Sequence, residues 1–405
     1  MSKVALINPP SPYLANDAAY PPSGLLYLAA VLERDHHEVE IIDLAGKPAW
    51  REIIPTLTAE LFGITCVTPN FRIVQELSHL LPPGIPIVIG GIHPTFLPQD
   101  VLDNIRCDCV VQGEAEVIIL DLINDLRKGT LKKVYQGGIA PIESIPKPAR
   151  HLVDLHKYRP GGEFTTPIYT SRGCPYNCNF CSKISGQRYR VFPLTQVMEE
   201  IEYVMGLGFR HILFGDDDVG IQPKRLKKML EMLLPLKLNF RLNQDARIID
   251  EEILALAARA GCTEISFGIE SGSQRMLDLM NKRTTLESNK EAIVLTKKHG
   301  MRAKAYFVVN FPGEDDESIR ETLDFAEQTR PDKWLLSSFA PLPGSDTFQN
   351  PSKYDITWMS SVWEDYYLVG KDGSFKPCFE TRDLTIQRQI HLHDILHQGL
   401  KEILG

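Results

Sequence analysis

Cys174, Cys178 and Cys181 lie close together in the run Ser171-Arg172-Gly173-Cys174-Pro175-Tyr176-Asn177-Cys178-Asn179-Phe180-Cys181. A C-x3-C-x2-C triplet offers three thiolates from one short loop. That number suits a 4Fe-4S cluster with one iron left open, because such clusters otherwise take four cysteines. No fourth cysteine stands at matching spacing, so another ligand must fill the open iron. The alternatives are a zinc knuckle or three reduced core thiols. Zinc sites usually close with a fourth Cys or His, and no His lies between Lys183 and Arg210. The eight cysteines of the chain are unevenly spaced, which favours reduced thiols and a metal site over a disulfide framework.

Further polar groups recur where apolar runs stop. Gly215-Asp216-Asp217-Asp218 follows one run and reads either as a ligand-facing turn or as a solvated acidic turn. Asn243, Gln244 and Arg247 follow another, Ser266 to Gly272 a third, and Asn310-Phe311-Pro312-Gly313-Glu314 a fourth. Glu114 and Glu116 invite an acid/base role, but acidic residues in a first helical turn complement the helix dipole and need no chemistry to explain them. In the tail, His393 and His397 fall beside the apolar stripe of Ile386, Ile390, Leu396 and Leu400 at about 100° per residue. His391 points well away, so three ligands cannot converge from that helix.

Two arrays of elements must position these groups. From Met1 to about Tyr158, five apolar or β-branched runs alternate with helical stretches: Lys3 to Ile7, Val39 to Ile42, Leu61 to Thr65, Pro86 to Ile89, and Cys109 to Val111. The alternation predicts an α/β domain with a doubly wound, Rossmann-like parallel sheet and a ligand at the carboxyl ends of its strands. Those ends carry Asn8-Pro9-Pro10-Ser11, Thr65-Cys66-Val67-Thr68, Gly90-Gly91-Ile92-His93-Pro94 and Gln112-Gly113-Glu114. From about Gly161 to Gly344, six runs follow: Ile168 to Ser171, His211 to Gly215, Leu238 to Leu242, Glu264 to Gly268, Ala303 to Val309, and Lys333 to Ser338. Six βα units curl into a partial barrel, short of the eight that close one, with working groups at the strand ends. The expected division is 1–158, 159–344 and a small, mainly helical extension 345–405. In that extension Trp358, Trp363, Tyr366 and Tyr367 are expected to pack over the barrel, ahead of a final helix from about Thr385 to Ile403.

Composition narrows the class. The chain has 405 residues, 43% apolar and 24% charged, with a formal net charge of -8 and no basic tract. That balance argues against a nucleic-acid binder, which needs clustered Lys and Arg. No apolar run reaches transmembrane length. Val4-Ala5-Leu6-Ile7 reads as a buried strand rather than part of a signal peptide, so a soluble cytoplasmic protein is expected.

The cysteine run, its neighbours and the six-strand count resemble the radical S-adenosylmethionine (SAM) superfamily. The resemblance implies that the amino and carboxylate groups of SAM chelate the open iron. The reduced cluster would then cleave a carbon–sulfur bond of SAM, and the 5'-deoxyadenosyl radical would abstract hydrogen from an unactivated carbon. It further implies SAM contacts from the backbone at Gly215, Asp216 and Asp217, from Asn243, Gln244 and Arg247, and from Ser266, Glu270 and Ser271, with Phe267 and Ile269 turned the other way. The Asn310 loop would lie along adenine and ribose, with Phe180 near adenine.

The amino-terminal region, including Pro21-Pro22-Ser23-Gly24-Leu25, is similar to the cobalamin-binding domain that precedes many radical SAM domains. That similarity implies cobalamin contacts from Pro9, Pro10, Ser11, Thr65, Cys66, Thr68, Gly90, Gly91, His93, Pro94, Gly113 and Glu114. One departure stands out: the D-x-H-x-x-G by which many cobalamin proteins supply a histidine to cobalt is replaced by Pro9-Pro10-Ser11. The implication is cobalamin without that histidine, or a domain that has lost the cofactor. His93 is expected to be satisfied within its loop rather than to bind cobalt.

Together these resemblances imply a methyltransferase acting on an unactivated carbon, with a flavodoxin or ferredoxin as electron donor and a small-molecule, lipid or peptide substrate. The alternatives are radical oxidation, cyclisation or rearrangement without methyl transfer, and a non-catalytic iron-sulfur or metal-binding protein.

Overall fold

A computed structural model describes residues 2–158, 165–371 and 373–405. The chain forms two units: Met1–Phe164 with Ser182–Gly186 and Val362–Tyr366, and Thr165–Cys181 with Gln187–Ser361 and Tyr367–Gly405. The boundary expected between 158 and 159, and Gly161 as the start of the second array, fall at or among residues 159–164, outside the described residues.

In the first unit the strands are β1 (Lys3–Asn8), β2 (Glu38–Asp43), β3 (Leu61–Thr65), β4 (Ile87–Gly90), β5 (Cys109–Gly113) and β6 (Val134–Gly138). All pair in parallel, in the order β2-β1-β3-β4-β5-β6. Side-chain alternation along β1 explains why such a sheet needs helices on both faces. Ala5 and Ile7 join one buried cluster with Phe62, Ile64 and Ile89 and with Val74 and Leu77 of helix Phe71–Leu80. Val4 and Leu6 join the other with Leu25, Ala29 and Leu32 of helix Ser23–Arg34 and Leu122 of helix Ile119–Arg127. The strand order reverses between β1 and β3, which opens a ligand crevice at their carboxyl ends. The sixth strand adds to the five expected. It is a short edge strand with alternating exposure and a polar, glycine-rich end, so it lacks the apolar run that marks the others.

The second unit is built on β7 (Thr165–Ile168), followed by a two-stranded ribbon of β8 (Ser171–Arg172) and β9 (Arg190–Val191). Then come β10 (His211–Phe214), β11 (Asn239–Asn243), β12 (Cys262–Glu270), β13 (Arg302–Val309) and β14 (Lys333–Ser338). The six-stranded sheet is parallel and runs β14-β13-β12-β11-β10-β7, each strand beside its predecessor in this set. The α/β class and both sheets expected from sequence are therefore present.

The first strand of this sheet starts and ends earlier than expected, because Pro167 reads as a strand breaker. Here β7 is an edge strand, where a missing N–H is tolerated. The small ribbon β15 (Ile356–Met359) and β16 (Phe379–Thr381) precedes a final helix, Ile386–Leu404, capped by Thr385. Gly399 of that helix lies close against Leu323 of helix Asp316–Thr329. Trp363 and Tyr366 belong to the first unit, where the Trp363 indole donates to Asp100 at 2.9 Å and its ring lies tilted 5.1 Å from that of Tyr366.

Candidate active site

The cysteine loop leaves the carboxyl end of β7 through Tyr169, Thr170 and the β8 pair. Asp216, at the end of β10, fixes this exit. Its fully buried carboxylate accepts the Thr170 N–H at 3.0 Å, the Thr170 hydroxyl at 3.0 Å and the Ser171 hydroxyl. Arg225 completes the knot by donating to the Thr170 carbonyl at 3.0 Å and the Phe192 carbonyl at 2.8 Å. Burial pushes the Asp216 carboxyl up, and the bonds from Ser171 and Thr170 pull it back. The Asp216 side chain is thus occupied with the loop, leaving backbone as the group this turn presents. Gly215 lies close under the Tyr169 ring, where a Cβ would stand 2.8 Å from it.

Beyond that exit, Cys174, Cys178 and Cys181 are each partly buried, and no disulfide joins described cysteines. Among the described residues no three His, Cys, Asp or Glu side chains gather as a site for one metal ion. A zinc ion needs its donors about 2.0–2.3 Å from a single point. Three thiolates from one loop suit a 4Fe-4S cluster with one iron left open. Elsewhere, burial pushes the Cys107, Cys109 and Cys262 thiols up to about 11, about 12 and about 12, which keeps them protonated.

The other strand ends surround the loop with engaged polar groups. Asn243 donates to the Asp216 carbonyl at 3.2 Å, and Gln244 to the Ile248 carbonyl at 3.0 Å. Arg247 grips Asp245 with two bonds of 2.9 and 3.0 Å and lies 4.1 Å over the Tyr176 ring, tying the end of β11 to the cysteine loop. Burial pushes the Tyr176 hydroxyl up to about 12 and the Asp218 carboxyl up to about 7. Asp217 is exposed.

On β12, Ser266 is buried and its carbonyl accepts the Gln244 N–H. The β12–β13 register slips between Gly268 and Glu270, and Glu270 takes a left-handed φ of 62°. Its carboxylate meets Lys282 at 2.8 Å. Phe267 and Ile269 are wholly buried. Ser271 is also buried, its hydroxyl bonded to Thr322 at 3.1 Å. Asn310, with φ 71°, donates to Ser338 at 3.1 Å, while its side-chain oxygen is buried without a hydrogen-bond partner. Its backbone N–H donates to Glu314, whose carboxyl burial pushes up to about 8. Phe180 meets Phe311 edge-on at 6.5 Å.

In the first unit, the strand-end loops are knitted to one another. Asn70 donates to Ser11 at 3.0 Å across the β1/β3 crevice, beside the buried Pro9 and Pro10. Cys66 donates to the Gly90 carbonyl at 2.7 Å and accepts from the His93 N–H at 3.2 Å. Gly91, with φ 111°, comes so close to Cys66 that a Cβ would stand 2.7 Å from its carbonyl, whereas a Cβ on Gly90 would face open space. The Thr95 hydroxyl donates to Gly91 and accepts from Gly113, joining two loops.

His93 is fully buried among these loops with Pro94. One ring nitrogen meets Thr68 at 3.3 Å and the other Asp100 at 3.1 Å, and Trp363 stands edge-on at 5.0 Å. Both nitrogens are spoken for, so the ring braces the loops. Burial pushes its pKa down, which Asp100 partly opposes. Glu114 does not simply open a helix. Its buried carboxylate accepts the Ala140 N–H at 2.6 Å, tying the end of β5 to the segment after β6. The open backbone at Gly90 lets a ligand approach the strand ends without a side chain intervening, and both His93 nitrogens are already bonded within the protein.

Spacing did not mark Lys282, Tyr176, Asp245, Thr95 or Asp100. They enter through turns and pairings that have no sequence period. In the tail, His393 and His397 stack in parallel at 5.7 Å, and His391 is exposed.

Residues 168–326 match the radical SAM superfamily, and residues 17–123 match the B12 binding domain. The chain is 29% identical over 378 residues to an uncharacterized methyltransferase of Pyrococcus horikoshii, covering 86% of this chain and 82% of that protein. It is 30% identical over 368 residues to the anaerobic magnesium-protoporphyrin IX monomethyl ester cyclase of Rubrivivax gelatinosus, covering 82% of this chain and 66% of the cyclase. In fold it is similar to the radical SAM methyltransferase TsrM of Kitasatospora setae, solved with cobalamin and a 4Fe-4S cluster. The TM-score is 0.77 at 18% identity, over 98% of this chain and 91% of TsrM. The chain carries a radical SAM domain preceded by an amino-terminal B12-binding domain. Its cofactor set is accordingly a 4Fe-4S cluster, SAM and cobalamin. Among the described residues no helix is long and apolar enough to cross a membrane.

Proposed function

We propose that this chain is a cobalamin-dependent radical SAM methyltransferase acting on an unactivated carbon, with Cys174, Cys178 and Cys181 as the cluster ligands. The observation that carries the reading is the B12-binding domain joined in one chain to a radical SAM domain whose cysteine loop follows the first strand of its sheet. When bound, SAM on the cluster supplies a carbon radical and cobalamin a transferable methyl group.

The chain's own residues position and shield. Asp216 and Arg225 hold the exit of the cysteine loop through Thr170. Arg247 and Asp245 hold Tyr176. Gly215 to Asp217 offer backbone to the amino group of SAM, and the Asn310 side-chain oxygen is a free acceptor for a ligand N–H or O–H. Phe180 and Phe311 form an apolar wall that excludes water. In the first unit, Ser11, Thr68, Gly90 and Gly113 border the corrinoid, and His93 serves as a brace.

The cyclase relative favours a second reading, radical chemistry without methyl transfer. Anaerobic incubation with methyl-deuterated SAM, hydroxocobalamin and a low-potential reductant separates the two. Methyltransferase action moves label from SAM to the corrinoid fraction and adds one methyl mass to the product. Formation of 5'-deoxyadenosine with no label in corrinoid or product would establish the second reading.

A further inference from the structure

The turn after helix Gln274–Leu279 clasps the cysteine loop. The Asn179 N–H donates to the Met280 carbonyl at 2.9 Å, the Asn179 side chain donates to the Leu279 carbonyl at 2.9 Å, and Asn281 donates to the Asn177 carbonyl at 2.6 Å. Asn281 and Arg283 both adopt left-handed backbone, φ 53° and 63°, and between them Lys282 turns inward. Its side chain is 13% exposed, and its ammonium meets the Glu270 carboxylate at 2.8 Å. The nitrogen also occupies the space beside Gly268, where a Cβ would stand 2.7 Å from it.

The bonds from this turn to Asn177 and Asn179 fall on either side of Cys178, and the ion pair with Glu270 holds the ammonium in place. Lys282 is therefore a paired cation on the turn that clasps the segment carrying a cysteine of the motif. Burying an ion pair is a poor way to gain stability, because desolvation offsets most of the attraction. Beside a centre that takes up one electron, the same pair has another use. Cluster potentials respond to local charge and burial, and a nearby cation favours the more negative state.

Given a cluster on Cys174, Cys178 and Cys181, as proposed above, we infer that Lys282 is a positioning residue that makes one-electron reduction of the cluster easier, with Glu270 holding the ammonium in place and moderating its charge. The electron comes from an external low-potential one-electron donor. No bond forms or breaks, and the cluster becomes more negative by one charge.

The test is a redox titration of the full chain, reconstituted anaerobically, followed by the electron paramagnetic resonance of the reduced cluster without SAM. Iron and sulfide are counted in each sample. Lys282→Gln is expected to disfavour reduction about tenfold, a shift of about 59 mV to more negative potential for a one-electron couple. Glu270→Gln is expected to shift it the opposite way, and Lys282→Arg to stay near the unaltered chain. Loosened packing does not produce shifts of opposite sign.

Unshifted potentials in both Gln variants, or shifts in the same direction, would overturn the inference. So would a Lys282→Gln effect that arises only once SAM is added, which would assign the ammonium to SAM instead. If Lys282→Gln retains no iron, Glu270→Gln decides: an unshifted or more negative potential there refutes the inference. An unaltered chain that takes up no 4Fe-4S cluster would refute the cluster assignment itself, and this inference with it.

Discussion

Asp216 shows how one buried carboxylate can fix the exit of a loop. It accepts from Thr170 and Ser171 at the step where the chain leaves β7 for the cysteines. Asp216→Ala would leave those donors unpaired in a dry interior, at a cost of about 3 kcal/mol. Urea unfolding should show that loss, and iron retention after reconstitution should fall with it.

Glu314 makes a separate, pH-dependent contribution. Burial raises its carboxyl to about 8, so the folded chain keeps a proton that the unfolded chain has released above its ordinary value of 4.5. The folded state therefore binds more protons between those values. Its contribution to stability is fully present below about pH 4.5 and is lost as pH rises toward 8, with a slope of up to about 1.4 kcal/mol per pH unit. Glu314→Gln keeps an acceptor for the Asn310 N–H, and urea midpoints from pH 5 to 8 should then fall less steeply. A slope unchanged by the substitution would contradict this.

At this scale the cysteine spacing was legible, because it lies within one loop, and the ligand role built on it is the proposal. Lys282 was not. Among Asn281, Lys282 and Arg283 a lysine reads as surface, and only two left-handed residues turn it inward.

At the scale of elements, the glycine that ends helix Glu251–Ala260 carries a sharp expectation. Gly261 has φ 101°, and a Cβ there would stand 1.9 Å from the Leu238 carbonyl, where the chain enters β11. Gly261→Ala should therefore cost roughly 3 kcal/mol or more, seen as a lower unfolding midpoint. A loss below about 1 kcal/mol would mean that the β11 entry relaxes freely.

Elements with apolar or β-branched runs were readable in advance: β1 to β5 in the first sheet, and β10 to β14 in the second. Those resting on tertiary context were not. Pro167 is tolerated within β7 because that strand ends the sheet among the described residues, and β6 gains its place from pairing to β5 rather than from its own apolarity. The bulge at Glu270 is likewise set by its neighbour strand, and it creates the pairing with Lys282.

At the scale of the whole molecule, two cofactor-binding parts share one chain, and each should respond to its own ligand. Hydroxocobalamin at 1,000 times its dissociation constant would stabilise the folded state by about 4 kcal/mol. A thermal scan with and without it should show that gain even when the three motif cysteines are replaced. The order of the parts was legible from strand alternation and loop composition. The placement of Val362–Tyr366 in the first unit was not, because the Trp363 bond to Asp100 joins residues far apart in sequence.

The most direct test is metal and sulfide analysis of the anaerobically reconstituted chain beside a Cys174→Ala/Cys178→Ala/Cys181→Ala variant. The unaltered chain should hold about four iron, about four sulfide and about one cobalt. The variant should lose iron and sulfide while keeping cobalt. A variant that keeps its iron, or an unaltered chain that holds zinc in place of iron and sulfide, would contradict the account.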